Sequence, residues 1–125
     1  MKKIIYFLSF VIVLLSLQGC YYDELPADNG TLPTNISFSN DVQRIFNVNC
    51  VSCHNGGVIP LNLTSGNSYN ALINGDYVIP SNANGSILAQ SLLGEGQAIM
   101  PPSGSLSTSD INKVLQWINE GALNN

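Results

Sequence analysis

Strong cations are scarce in this chain. Lysine and arginine number four against eight acidic residues, and two of the four, Lys2 and Lys3, stand at the extreme N-terminus. Without those two, Arg44 and Lys113 face all eight acids, a net charge of −6. A basic patch for phosphate neutralisation needs several cations on one face, so nucleic-acid binding is excluded, and a basic anchor to anionic lipid is excluded with it. Charged residues make up only 10% of the chain and apolar residues 45%, which rules out a charge-rich disordered protein or a coiled coil. No internal repeat and no strand pattern of useful length is present, so the expected fold class is all-α. Histidine occurs once (His54), methionine twice with Met1 the initiator, and cysteine three times, so any ligand set has few candidates.

The first twenty residues, MKKIIYFLSFVIVLLSLQGC, place two lysines before an apolar run at 4–17. The run is short for a membrane span, which takes roughly 20 residues, and has the form of an export signal. Leu17-Gln18-Gly19-Cys20 resembles a bacterial lipobox, with Gln18 a less common residue at its place. It implies a signal peptide at 1–19 and a lipidated Cys20 at the head of the mature chain, with several acyl chains giving a stable anchor. A plain signal peptide or an uncleaved anchor helix is the alternative. Tyr21, rather than Asp, follows the cysteine, which by resemblance favours the outer over the inner membrane. Residues 20–35, with Pro26, Gly30 and Pro33 and no apolar period, read as a tether. Residues 36–125 form the body, in the periplasm or at the cell surface.

Within the body, Phe38, Val42, Ile45 and Phe46 form one helical stripe, capped by Ser37 or Ser39, predicting a helix over 39–49 that delivers Cys50 at its end. Residues 54–67 read as loop, 68–74 as a short helix stopped near Gly75, 77–80 as an extended piece before Pro80, and 85–93 as a helix stopped by Gly94. After a loop at 94–105, Ser107 and Asp110 open a last helix with the stripe Ile111, Val114, Leu115 and Ile118, ended by Gly121. Short helices and long apolar loops in so small a body leave a thin core, so something besides side chains should fill the middle.

Cys50-Val51-Ser52-Cys53-His54 is C-x-x-C-H, the attachment motif of c-type haem. Two thiols one helical turn apart can each add to a vinyl group on adjacent pyrroles, and the next residue then lies under the iron as axial ligand. Export agrees, because haem is attached outside the cytoplasm. A thioredoxin-like pair would need a βαβ context, which is missing. Zinc needs four ligands, and Cys50, Cys53 and His54 are three with Cys20 committed to lipid. A Cys50–Cys53 disulfide is cramped and leaves His54 unexplained, though a haem-free surface lipoprotein of that kind stays as an alternative. For the second axial position there is no other histidine, and Met100 is the one methionine of the mature chain, in Ala98-Ile99-Met100-Pro101-Pro102. The competing role for Met100 is core filler. Thioether ligation favours Fe(II) over Fe(III).

These segments together resemble class I monohaem cytochromes c, with the closest likeness to the small cytochrome c-like domains of exported bacterial proteins. The resemblance is carried by the helix entering C-V-S-C-H, by Tyr77-Val78-Ile79-Pro80, by Met100-Pro101-Pro102 and by Leu106-Ser107 leading to Trp117-Ile118 and Gly121-Ala122, and it spans about residues 36–123. It implies about four short helices around one covalent haem, the first and last crossing behind it, with Trp117 packed nearby or in general core. It implies a proline-loop carbonyl on the second ring nitrogen of His54, for which Pro60 is the candidate. Leu61, Leu63, Ile79, Leu88 and Leu92 are candidates for pocket lining or for ordinary core.

The function this implies is single-electron transfer by Fe(III)/Fe(II) haem with His/Met ligation, with no acid or base and no catalytic residue. The expected partners are redox proteins of the cell envelope, met by a monomeric body tethered to the membrane. An acidic body should prefer a partner with a basic rim, with steering that weakens in salt. The alternatives are a redox or gas sensor in which a ligand displaces Met100, or the haem subunit of a larger exported oxidoreductase. A peroxidase would need an open iron position and a distal acid–base group, and no spare histidine exists.

Overall fold

The computed structural model describes residues 32–125. The expected signal peptide, Cys20 and most of the expected tether lie outside the described residues. Among the described residues the regular structure is helical, with no strand, as an all-α chain requires. A π-helical turn, Phe38–Val42, runs straight into α1, Gln43–Asn49. Three further helices follow: α2, Ser68–Asn74; α3, Ile87–Leu93; and α4, Thr108–Asn119. None of the described helices is long and apolar enough to cross a membrane.

The first helix begins differently from its predicted form. Ser37 caps it, its hydroxyl accepting from the Asn40 N–H at 3.2 Å, but the opening turn is wide: the Val42 N–H reaches the Ser37 carbonyl at 3.3 Å, five residues back. A single π turn shifts the apolar stripe too little for periodicity to betray it. Phe38, Val42, Ile45 and Phe46 still face inward, each less than 10% exposed. At the other end of the chain Ser107 caps α4 through the Asp110 N–H at 3.1 Å, and Val114, Trp117 and Ile118 are fully buried.

These two stripes meet. The Phe38 ring lies 5.0 Å from the Trp117 indole and 6.3 Å, edge-on, from Phe46. Tyr69 of α2 closes the aromatic group from 5.3 Å. Burying each such side chain stabilises the fold by roughly 1.5–3 kcal/mol, and the polar ends are not wasted. The Trp117 indole N–H donates to the Leu123 carbonyl at 2.9 Å and the Tyr69 hydroxyl to the Ala122 carbonyl at 3.1 Å.

The start of the described region is laced to the C-terminal residues. The Glu120 carboxylate accepts the backbone N–H groups of Asn35 and Ile36, both at 2.9 Å. Asn125 accepts from the Phe38 N–H through its side chain at 2.8 Å and from the Ser39 N–H through its carbonyl at 2.9 Å. Asn35, the last residue of the expected tether, is therefore docked on the body.

α3 starts at Ile87 rather than at 85. Ser86 is extended and fully buried; its hydroxyl accepts from the Ile79 N–H at 2.9 Å and donates to the Asn82 carbonyl at 2.8 Å, so it shapes the turn before the helix instead of joining it. Gly94, in the left-handed region at φ 71°, ends α3 and turns the chain back along it.

Candidate functional site

α1 ends where the site begins. The Cys50 N–H still bonds the Phe46 carbonyl at 2.9 Å, and the Cys50 carbonyl then accepts both the Cys53 N–H at 3.1 Å and the His54 N–H at 2.9 Å. This tight turn sets Cys50, Cys53 and His54 side by side at the end of a packed helix. Both cysteines are free thiols. Cys50 is half-buried, and burial pushes its thiol up to about 11, so little thiolate forms at neutral pH. That is the opposite of the lowered value a thiol–disulfide exchange pair needs. Cys53 is exposed.

His54 is held from three sides. Its backbone N–H is bound to Cys50, its carbonyl accepts the Leu63 N–H at 2.8 Å, and its ring Nδ1 lies 3.0 Å from the Pro60 carbonyl oxygen. A carbonyl can only accept, so Nδ1 carries a proton, and in the neutral ring this leaves the lone pair on Nε2. Residues 54–63 thus close a loop whose inner hydrogen bond fixes the tautomer. Gly56 sits at φ 84° in this loop, where a side chain would strike the Asn62 carboxamide.

Met100 comes from the segment that returns after Gly94. Its backbone N–H donates to the Ser91 carbonyl of α3 at 2.8 Å, which ties this part of the loop to a buried helix. The Met100–Pro101 peptide is cis.

The three groups open on the same space. A cavity of about 280 Å³ is lined by Cys50, His54, Pro60, Leu63, Leu92 and Met100, among others, and a hollow of about 130 Å³ by Cys53, Pro101 and Pro102. The two share Cys50, His54, Ile59 and Met100. No charged side chain lines either one. The lining therefore offers two thiols, one imidazole with a free lone pair, one thioether and an apolar wall. That donor set fits a haem, with Cys50 and Cys53 for attachment and His54 and Met100 for the iron. Among the described residues no group of three or more His, Cys, Asp or Glu side chains is placed to hold a metal ion.

The structure brings Cys50, Cys53, His54, Pro60 and Met100 to this cleft, together with Leu61, Leu63, Leu88 and Leu92. Ile79 is not part of it. It is 45% exposed, because Val78, its neighbour in the extended piece, takes the inward position. Trp117 does not line the cleft either; it belongs to the aromatic core with Phe38. Ile59, Tyr77, Ile87, Ser91, Gln97 and Ala98 also line the wall, and sequence reasoning did not name them as lining. Tyr77 and Ile87 are brought there together by the hydrogen bond from the Leu88 N–H to the Tyr77 carbonyl at 3.0 Å, a pairing that periodicity does not encode.

No family model, no curated protein and no solved structure matches this chain.

Proposed function

We propose that this chain is a c-type cytochrome with one covalent haem, lipid-anchored in the cell envelope and carrying single electrons between redox proteins. The observation that carries the proposal is the convergence of Cys50, Cys53, His54 and Met100 on one uncharged cleft.

A haem held there supplies one-electron Fe(III)/Fe(II) chemistry. Cys50 and Cys53 would hold it by adding S–H across its two vinyl groups, each thiol hydrogen passing to the vinyl carbon and nothing leaving. His54 would present Nε2 to the iron while Pro60 holds the Nδ1 proton. Met100 would present its thioether, a ligand that favours the ferrous state. The leucines at 61, 63, 88 and 92 exclude water, and an apolar wall disfavours the extra positive charge of the ferric state. Apart from Tyr77, the cleft residues not assigned to the haem offer no group to act as acid or base at the iron, neither imidazole nor carboxylate. The reading is therefore electron carriage within a cytochrome c-like fold rather than catalysis.

The two cations of the body, Arg44 and Lys113, lie with Asp41 and Asp110 around a hollow between the first helix and α4, and neither lines the cleft. No cation lines the cleft and the body is net acidic, which supports a partner with a basic rim. The test is a redox titration of the exported, purified protein: a single one-electron wave with the absorption bands of low-spin haem supports the proposal, and a colourless protein overturns it.

A further inference from the structure

We infer that Gln43 is a positioning residue that holds the His54 loop in register with Cys50; the inference rests on the haem reading above and assigns a role that reading leaves open. Gln43 is one of three buried polar side chains among the described residues, at 7% exposure. Ser86 belongs to its own turn, and Ser68 is the partner of Gln43 itself.

The carboxamide is used at both ends. Its N–H₂ donates to the Leu63 carbonyl at 3.0 Å and to Asn47 Oδ1 at 2.9 Å, while its oxygen accepts from the Ser68 hydroxyl. The backbone of Leu63 is thus gripped on both sides, its carbonyl by Gln43 and its N–H by the His54 carbonyl at 2.8 Å. Gln43 and Cys50 are seven residues apart, two helical turns, and so share a face of α1. One helix therefore fixes the first thiol at one point and the far end of the ligand loop at another.

The loop needs such a fixture. Residues 55–60 are all exposed, Val58 fully so. Residues 55–60 do not pack the Pro60 carbonyl into place; the closure at Leu63, a core residue at 2% exposure whose N–H and carbonyl are both bonded, does. If that closure loosens, the Pro60 carbonyl leaves Nδ1, the imidazole donates less charge through Nε2, and the ferric state loses more than the ferrous. The reduction potential then rises.

The experiment compares wild type, Gln43→Leu, Gln43→Glu, Ser68→Ala and the control Ser86→Ala as exported, purified proteins. The readouts are solvent exchange of the His54 Nδ1 proton by NMR, the reduction potential and the thermal midpoint. Gln43→Leu and Gln43→Glu both remove the donor to Leu63, so both should speed exchange by about tenfold or more and raise the potential. Ser86→Ala should lower the midpoint and leave the other two readouts unmoved. Unchanged exchange in folded Gln43→Leu, or equal acceleration in Ser86→Ala, overturns the inference. Should neither variant at position 43 fold, Ser68→Ala, which only frees the carboxamide, decides in the same terms. A wild-type protein without porphyrin would instead overturn the haem reading, and Nδ1 exchange in that haem-free set still reports on the anchor.

Discussion

The ring Nδ1 of His54 lies 3.0 Å from the carbonyl oxygen of Pro60, six residues further along the chain. The bond assigns a proton to Nδ1 and so, in the neutral ring, the lone pair to Nε2, on a residue that lines an uncharged cleft. A histidine that served only to fill space would not need its tautomer fixed by its own loop. The loop itself depends on a backbone that most residues cannot adopt.

Gly56, at φ 84°, is where that dependence is sharpest. A Cβ there would stand 2.7 Å from Asn62 Nδ2, and Asn62 is not free to move, because its Oδ1 accepts the Thr64 N–H at 3.0 Å and the Thr64 hydroxyl at 2.6 Å. Gly56→Ala should therefore destabilise the protein by about 1–2 kcal/mol from the backbone conformation alone, with a further cost from the clash. Urea denaturation measures this, and a loss below the error of the method would contradict the loop geometry.

Met100→Ala removes the thioether. The oxidised protein should lose its sulfur-to-iron charge-transfer absorption and gain affinity for added cyanide, the reduced protein should gain affinity for carbon monoxide, and the potential should fall. A band that survives the substitution would mean that another group is bound to the iron.

Glu120 gives a pH dependence. The Gln116 amide, 3.1 Å away, and then the N–H groups of Ile36 and Asn35 hold its carboxyl below the usual carboxylate range. A lowered folded-state value means that the contribution is complete above the unfolded pKa, about 4.3, and is lost as pH falls through the folded value. The thermal midpoint of Glu120→Gln should therefore lie below wild type at neutral pH, and the gap should narrow only below about pH 4. A gap that is constant down to pH 2 would show that the charge does not act in this clasp.

Cys20→Ala tests the anchor. The variant should appear in the soluble fraction of the cell envelope, with its absorption spectrum unchanged. Continued sedimentation with membranes would count against lipidation at that thiol.

Much of this arrangement was legible in the sequence because it rests on local signals. The helix Ser68–Asn74 falls where predicted, Ser107 caps α4, and Gly94 ends α3 in the left-handed region that only glycine adopts freely. The contiguous motif from Cys50 to His54 needed no folding to be read. What was not legible depends on pairs far apart in the chain or on side chains of ambiguous character. A glutamine in an amphipathic helix reads as solvent-facing, so Gln43 gave no sign of its bond to Leu63, 20 residues away. Glu120 sits 85 residues from Asn35, and no periodicity announces that clasp. Ile79 looked like lining because it is apolar and precedes a proline, but alternation along an extended piece turned Val78 inward instead.

The most direct test is the intact mass of the exported polypeptide under denaturing conditions. The account predicts the mass of the chain plus one porphyrin with its iron, retained after unfolding, and no alkylation of Cys50 or Cys53 by added reagent. A mass with no porphyrin, with both thiols open to alkylation, would contradict it.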